Sequence, residues 1–366
     1  MSPPNLIPPP HPKRSPFMYF ASDNWAGAHR SIAERLLRES DGFAAAYGAS
    51  DLDRRVERRF AEVFEREVAV LFVGTGTAAN SLSLASVQRP GGITFSHSEA
   101  HVIADECGAP DFFSGARLLG VPGAEGKIDP EKLKEKIAAF PQTAVQHGRA
   151  TAVTITQATE AGTVYSLTEI DEIAAIARKD KLPLHMDGAR FANALVSLGV
   201  SPAEMTWKRG IDMLSFGGTK NGCWCAEAIV FFNPERAKEM LFIRKRAAQL
   251  FSKSRFIAAQ FDAYFENDLW LDLARHANGM SDRLRAGITA SNASRLAWPT
   301  SANEVFAVIP KGAAKTAQEK GAKFYEWPVP PATPELVGRD ETLIRLVTSF
   351  ATSEADVDGF LDCLAN

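Results

Sequence analysis

From about residue 30 the chain alternates short, uninterrupted apolar runs with amphipathic stretches, and each run stops at a small or polar residue. Residues 54–66 carry Val56, Phe60, Val63 and Phe64 at helical spacing behind an Asp51-Leu52-Asp53 cap, which predicts a helix. Residues 68–73 are a continuous apolar run that fits a buried strand. The turn Gly74-Thr75-Gly76-Thr77 breaks it, and an Ala/Ser/Leu-rich helix pattern follows over 78–87. Further strands are expected at 93–95, 152–155, 182–186, 213–216 and 228–232, with a clear amphipathic helix at 167–181. The run at 182–186 ends in Asp187, the run at 213–216 in Gly217-Gly218-Thr219-Lys220, and the run at 228–232 in Asn233-Pro234.

Strand–helix alternation over some 200 residues predicts an α/β layer, a mostly parallel sheet between helices. In such sheets functional residues gather just beyond the carboxyl ends of the strands, which directs attention to Gly76, Thr77, Asp187 and Lys220. After about residue 275 the pattern changes. Strands are expected at 303–309 and 343–347 and helices at 313–321 and 354–364, a smaller C-terminal α+β domain. The expected organisation is a proline-rich arm over 1–16, a large α/β domain over 17–274 and a small domain over 275–366.

Composition narrows the class of function without choosing one. A chain of 366 residues with 45% hydrophobic and 23% charged residues is ordinary for a globular protein of two domains. A net charge of −3 argues against nucleic acid or an anionic membrane as partner. No apolar run approaches the roughly 20 residues of a membrane span. Pro3, Pro4, Pro8, Pro9, Pro10, Pro12 and Pro16 read as an extended arm, not a signal peptide. Cys107, Cys223, Cys225 and Cys363 match neither a disulfide framework nor a zinc pattern, so a reducing cytoplasm is the expected location.

Three short segments could carry chemistry. In Asp187-Gly188-Ala189-Arg190 a carboxylate ends a buried strand, where it needs a cation or donor. It either caps the next helix or faces a protonated heterocyclic nitrogen, with Arg190 available to a substrate carboxylate. Lys220 stands among small residues, either as a structural turn lysine or as an amine held where it loses its proton easily enough to form an imine. It follows Asp187 by 33 residues, one helix-plus-strand unit, so the two can face each other across a flat cofactor. The turn at 74–77 offers backbone N–H groups and a helix N-terminus to a phosphate. It lacks the Lys-Ser/Thr of a nucleotide loop and the third glycine of a dinucleotide fingerprint, which favours a single small phosphate. His101, at an expected helix start, is by itself more often a structural group than a catalyst.

Together these segments resemble the fold type I pyridoxal 5′-phosphate (PLP) enzymes, transferase-like in fold, and within them the low-specificity L-threonine aldolases of the β-eliminating lyase group. The motifs are Phe20-Ala21-Ser22-Asp23-Asn24, Tyr47-Gly48, Thr75-Gly76-Thr77-Ala78-Ala79-Asn80, Glu99-Ala100-His101, and Thr154-Ile155-Thr156-Gln157-Ala158-Thr159-Glu160. His185-Met186-Asp187-Gly188-Ala189-Arg190, Phe216-Gly217-Gly218-Thr219-Lys220-Asn221-Gly222 and Ile344-Arg345-Leu346-Val347-Thr348 complete the series, in family order from about residue 18 to the C-terminus.

The resemblance implies a role for each matching position. Lys220 would carry the cofactor, next to Thr219. Asp187 would keep the pyridine nitrogen protonated and His101 would stack on the ring. Gly76 and Thr77 would bind the phosphate, helped by a basic residue of the 244–255 stretch, Arg255 foremost, from the same or a neighbouring subunit. Ser22, Arg190, Arg345 and Tyr47 would surround the substrate, with Ser22 and the arginines on its carboxylate. The implied reaction is retro-aldol cleavage of a β-hydroxy-α-amino acid to glycine and an aldehyde, in a homodimer or homotetramer with shared active sites. Elimination, transamination or racemisation on the same scaffold is the competing reading. Many relatives have a second histidine where this chain has Glu160, which would act as base, hold a water or pair with an arginine.

Overall fold

The computed structural model describes residues 17–364 apart from 88, 144, 331 and 332, so the expected arm over 1–16 lies outside the described residues. Seven strands make the large sheet: β1 (Ala69–Val73), β2 (Gly92–His97), β3 (Arg117–Val121), β4 (Arg149–Thr156), β5 (Leu184–Gly188), β6 (Met213–Gly217) and β7 (Glu227–Phe231). Their order across the sheet is β1-β7-β6-β5-β4-β2-β3. Only β7 runs against its neighbours; the strands from β6 to β3 are parallel. This is the expected mixed but mostly parallel sheet, and its central strands are buried on both faces, which is why they read as unbroken apolar runs.

Helix α1 (Asp51–Val63) begins earlier than the sequence pattern suggests, and Ser50 rather than the Asp51–Asp53 stretch is its cap. The Ser50 hydroxyl accepts from Asp53 N at 3.1 Å while Asp53 Oδ2 accepts from Ser50 N at 3.2 Å, so two end donors are satisfied reciprocally. Its apolar face inserts Phe60 beneath β6. The Phe60 ring lies 5.2 Å from Phe216, 5.2 Å from Phe261 and 4.9 Å from Phe265, all edge to face. That aromatic cluster makes the strand leading to Lys220 a rigid support.

A second sheet of four antiparallel strands has the order β10-β11-β9-β8, with β8 (Arg295–Leu296), β9 (Glu304–Pro310), β10 (Tyr325–Glu326) and β11 (Glu341–Val347). Val305, Ala307 and Ile309 of β9 face one core with Ile344 and Leu346, while Phe306 and Val308 face another with Trp298 and Trp327. The long helix α2 (Leu269–Ala290) joins the two layers: Trp270 and Ala274 belong to the large core, Leu284 and Ile288 to the smaller one. The expected division after residue 274 therefore falls inside a continuous helix. Met18 and Tyr19, expected to open the large domain, instead pair in parallel with Ala322 and Lys323, and Phe20 packs against Phe360 at 5.5 Å. The next residues, 22 and 23, are thereby held between the two layers.

Candidate active site

Four consecutive strands of the large sheet deliver the candidate residues to one edge. Lys220 follows β6, Asp187 is the penultimate residue of β5, Glu160 follows β4 and His101 follows β2. Gly76 and Thr77 follow β1, and the antiparallel β7 starts at the same edge with Glu227, level with Val73 and Gly217.

Asp187 is 2% exposed, and both of its oxygens are occupied. Oδ1 accepts from Ala189 N at 3.0 Å and Oδ2 from Asn80 Nδ2 at 2.8 Å. It does not cap the next helix, Phe191–Leu198, whose N-cap is Arg190 without a side-chain bond. The same Asn80 Nδ2 donates at 2.8 Å to Glu106 Oε1, which also accepts from His101 Nδ1 at 3.0 Å. His101, Glu106, Asn80 and Asp187 thus form one connected row. The bond to Glu106 raises the histidine pKa, with Glu160 and Asp187 adding to it. With Nδ1 engaged, any proton exchanged with a ligand passes through Nε2. Behind Asp187, His185 is fully buried between Thr154 Oγ1 at 2.8 Å and Ser215 Oγ at 2.9 Å. Burial pushes it down to about 4, so it is a neutral strut.

Lys220 lies in a single 3-10 turn, Thr219–Asn221, pinned at both ends. Thr219 N donates to Glu227 Oε1 at 3.3 Å and Thr219 Oγ1 accepts from Ala226 N at 3.2 Å. Asn221 Nδ2 donates to Tyr264 Oη at 2.7 Å and to Trp270 O at 2.8 Å. Gly217 lets this turn approach the Asp187 turn, because a Cβ there would stand 2.6 Å from Ala189 O. Gly222 ends the turn at φ +108°, a conformation that favours glycine. Burial pushes Glu227 up to about 7, with Thr219 and Lys220 opposing the shift.

A second cluster lies between the two layers. Arg190 donates through Nε and Nη2 to Asp23 at 2.8 and 3.2 Å, and its Nη1 is 3.3 Å from Glu304 Oε2. Burial works against the charge on Asp23, but Arg190 and Lys220 outweigh it and lower its pKa. Arg345 comes from β11, with its guanidinium 4.5 Å over the Trp327 ring. It donates through Nη2 to Ala21 O at 3.4 Å, lies 3.9 Å from Glu304 Oε1, and keeps a buried Nε without a partner. Ser22 precedes this group and caps the turn Asp23–Trp25 through Asn24 N at 3.1 Å. Glu160 belongs to the same neighbourhood, acting electrostatically on His101, Arg190 and Glu304.

The sequence resembles the β-eliminating lyase family over residues 19–311. Two low specificity L-threonine aldolases, from a Pseudomonas species and from Pseudomonas aeruginosa, are each 40% identical to it, over 84% of this chain and 88% of theirs. The chain belongs to the β-eliminating lyase family. Its fold is similar to that of a Leishmania major threonine aldolase, at a TM-score of 0.87 and 26% identity, covering 94% of this chain and 98% of that one.

On this lyase scaffold the helix Gly76–Ala85 opens onto free space, since a Cβ on Gly76 would meet nothing within 4 Å. Thr75 Oγ1 caps Ala78 N at 3.1 Å, leaving the Gly76 and Thr77 amides outside the helix ladder. The chain itself folds over this end: Gln249 Oε1 accepts from Gly74 N at 3.1 Å. Arg255, a few residues on, has a buried Nε without a hydrogen-bond partner. Tyr47 is tied to the same rim, donating its N–H to Ser252 O at 3.1 Å beneath Lys245, and its side chain is half exposed. The fold brings Ser22, Arg190 and Arg345 together but ties Tyr47 to the segment around Ser252 and Lys245 instead.

Sequence reasoning gave no role to Asn80, Glu106, Asp23, Glu227 or Glu304. Asn80 and Asp23 stood inside the quoted motifs, so their position was marked although their partners were not. Glu106 follows His101 by five residues, a spacing that carries no signal once the helix stops at Ala104. Glu304 opens a strand and shares no sequence neighbourhood with either arginine.

Proposed function

We propose that this lyase holds PLP on Lys220 and cleaves L-threonine, L-allo-threonine and related β-hydroxy-α-amino acids, phenylserine among them, to glycine and an aldehyde. The observation that carries it is the single sheet edge on which Lys220, the Asp187 row and the two-arginine cluster meet. The residues fit the cofactor: a doubly bonded buried carboxylate suits a ring N–H, and uncommitted amides of Gly76 and Thr77 suit a phosphate, with Arg255 as the nearby cation. When bound, the cofactor supplies an electron sink for the carbanion left by breaking Cα–Cβ.

The chain's own groups then divide the remaining work. Asp187, fixed by Asn80 and Ala189, keeps the ring nitrogen protonated. His101 would pack against the bound ring, and Thr219 braces the lysine turn. Arg345, with an unsatisfied Nε, and Arg190, anchored by Asp23, hold the substrate carboxylate together with Ser22, which orients the bond to be broken. The β-hydroxyl proton passes to His101 Nε2 or to Glu160, directly or through water. Tyr47 contributes from the rim at an interface with a second copy, in a homodimer or homotetramer. The location that goes with this reading is the cytoplasm.

Two measurements test the proposal. Purified protein should absorb in the near-visible as a lysine-linked pyridoxal group does, and Lys220→Ala should abolish that band. Incubation with L-threonine should yield acetaldehyde and glycine. A colourless wild type would refute the cofactor assignment; colour without aldehyde from threonine or phenylserine would refute the aldolase assignment and favour elimination, transamination or racemisation.

A further inference from the structure

Glu304 is the first residue of β9 and has no solvent exposure. Its oxygens face Arg190 Nη1 at 3.3 Å and Arg345 Nη1 at 3.9 Å, yet neither accepts a hydrogen bond. The charged groups around it come from four elements: Arg190 after β5, Arg345 in β11, Asp23 in the N-terminal segment and Glu160 after β4. The base of its side chain is closely packed by the Glu160 loop. A Cβ on Gly162, in the Glu160 loop, would lie 3.1 Å from both Glu304 Cβ and Glu304 O.

Three carboxylates therefore share two guanidinium groups before any ligand arrives. Asp23 is the securely ionised one, taking both Arg190 bonds and a third from Asn303 Nδ2 at 3.0 Å. Glu304 is the fully buried member whose ionised form no hydrogen bond supports, whereas Glu160 is partly open to water. A substrate carboxylate entering this cluster adds a further negative charge where water is excluded, and the least supported carboxylate is the one to yield.

We propose that Glu304 takes up one proton from solvent as an amino-acid carboxylate docks beside Arg190 and Arg345, so that it surrenders the two guanidinium groups to the ligand. No covalent bond changes; the proton enters from water and leaves again when the product departs. Burial of Glu304, which raises its pKa, acts in the same direction. Glu304 is on this view a positioning residue that makes carboxylate affinity depend on pH. The inference rests on the carboxylate site assigned above.

The test is proton counting by calorimetry, in buffers of different ionisation enthalpy, on the holoenzyme. Two ligands are titrated: glycine, and 3-hydroxybutyrate, which keeps a carboxylate but has no amine to react with the cofactor. Wild type should take up about one proton per site with 3-hydroxybutyrate, and Glu304→Gln should bind either ligand with about one proton fewer taken up than wild type. If Glu304→Gln does not fold, 3-hydroxybutyrate on wild type decides, because the amine and lysine proton changes are absent. Binding without proton uptake, or equal uptake in Glu304→Gln, overturns the role of Glu304 alone. Failure of both ligands to bind overturns it together with the carboxylate site, a failure seen separately as absent threonine cleavage.

Discussion

Glu106→Gln removes the titratable carboxyl from the centre of the His101–Glu106–Asn80–Asp187 row while keeping its shape; burial pushes that carboxyl up, and the bonds from His101 and Asn80 oppose the shift. The amide oxygen can still accept from His101 Nδ1 and Asn80 Nδ2, so the change isolates electrostatics. At 3.0 Å an unscreened estimate would be large, but the His101 side chain is 32% exposed and the pair is partly solvated. A hydrogen bond to a charged group, worth about 1.5–3 kcal/mol before solvent screening reduces it, is the fitting scale. The sign follows from the raised histidine: the bond stabilises the imidazolium, so the variant should titrate lower. The linked stability is fully present below the ordinary histidine pKa and lost as pH rises through the folded value, so the variant should lack this slope. Ring-proton NMR against pH, with His101 assigned by comparison with His101→Asn, measures the shift directly. An unchanged His101 titration in Glu106→Gln would refute the claim that Glu106 sets its protonation.

Glu227→Gln should flatten the pH dependence of stability. Glu227 is buried and pushed up to about 7, so wild type loses stability as pH rises from the ordinary glutamate range through that value. The loss should be on the order of 3 kcal/mol by urea denaturation at either end of the window, and equal slopes in both proteins would sink the assignment. Gly217→Ala places a Cβ 2.6 Å from Ala189 O and 2.8 Å from Ala189 Cα. It should cost about 1–3 kcal/mol in thermal or urea unfolding and weaken the cofactor band by separating the Lys220 and Asp187 turns; a variant as stable and as coloured as wild type would show that the turns can part freely.

The large sheet was legible because its central strands are buried on both faces and end at small or polar residues. Asp187 and Lys220 could be placed at strand ends for that reason. The reversed direction of β7 was not legible, since Glu227–Phe231 has the same apolar pattern as its parallel neighbours. Strand β3 was missed because it is an edge strand with only Val121 fully buried, and Arg117 faces solvent. The helix pattern over 54–66 was right in kind but late in start, because the hydroxyl of Ser50 reached one turn further than the acidic cluster suggested.

The site shows the same limit more sharply. From the sequence, Arg190 and Arg345 look equivalent, two cations awaiting one carboxylate. In the fold they differ, because partners distant in sequence reach them unequally. Asp23 takes the Nε and Nη2 donors of Arg190, so that arginine is an anchor already committed before substrate arrives. Arg345 is held by a ring face and a long contact to Ala21 O, with its Nε unsatisfied, so it has donors to give. Glu304 stands between them with neither oxygen hydrogen-bonded, and Glu160 adds its field to the same group. On the proposed assignment, Glu160 therefore bears on more than the base for the hydroxyl proton: it adds negative charge to the cluster proposed for the substrate carboxylate. A residue that looks local in sequence thus ties the hydroxyl side of the reaction to the carboxylate side.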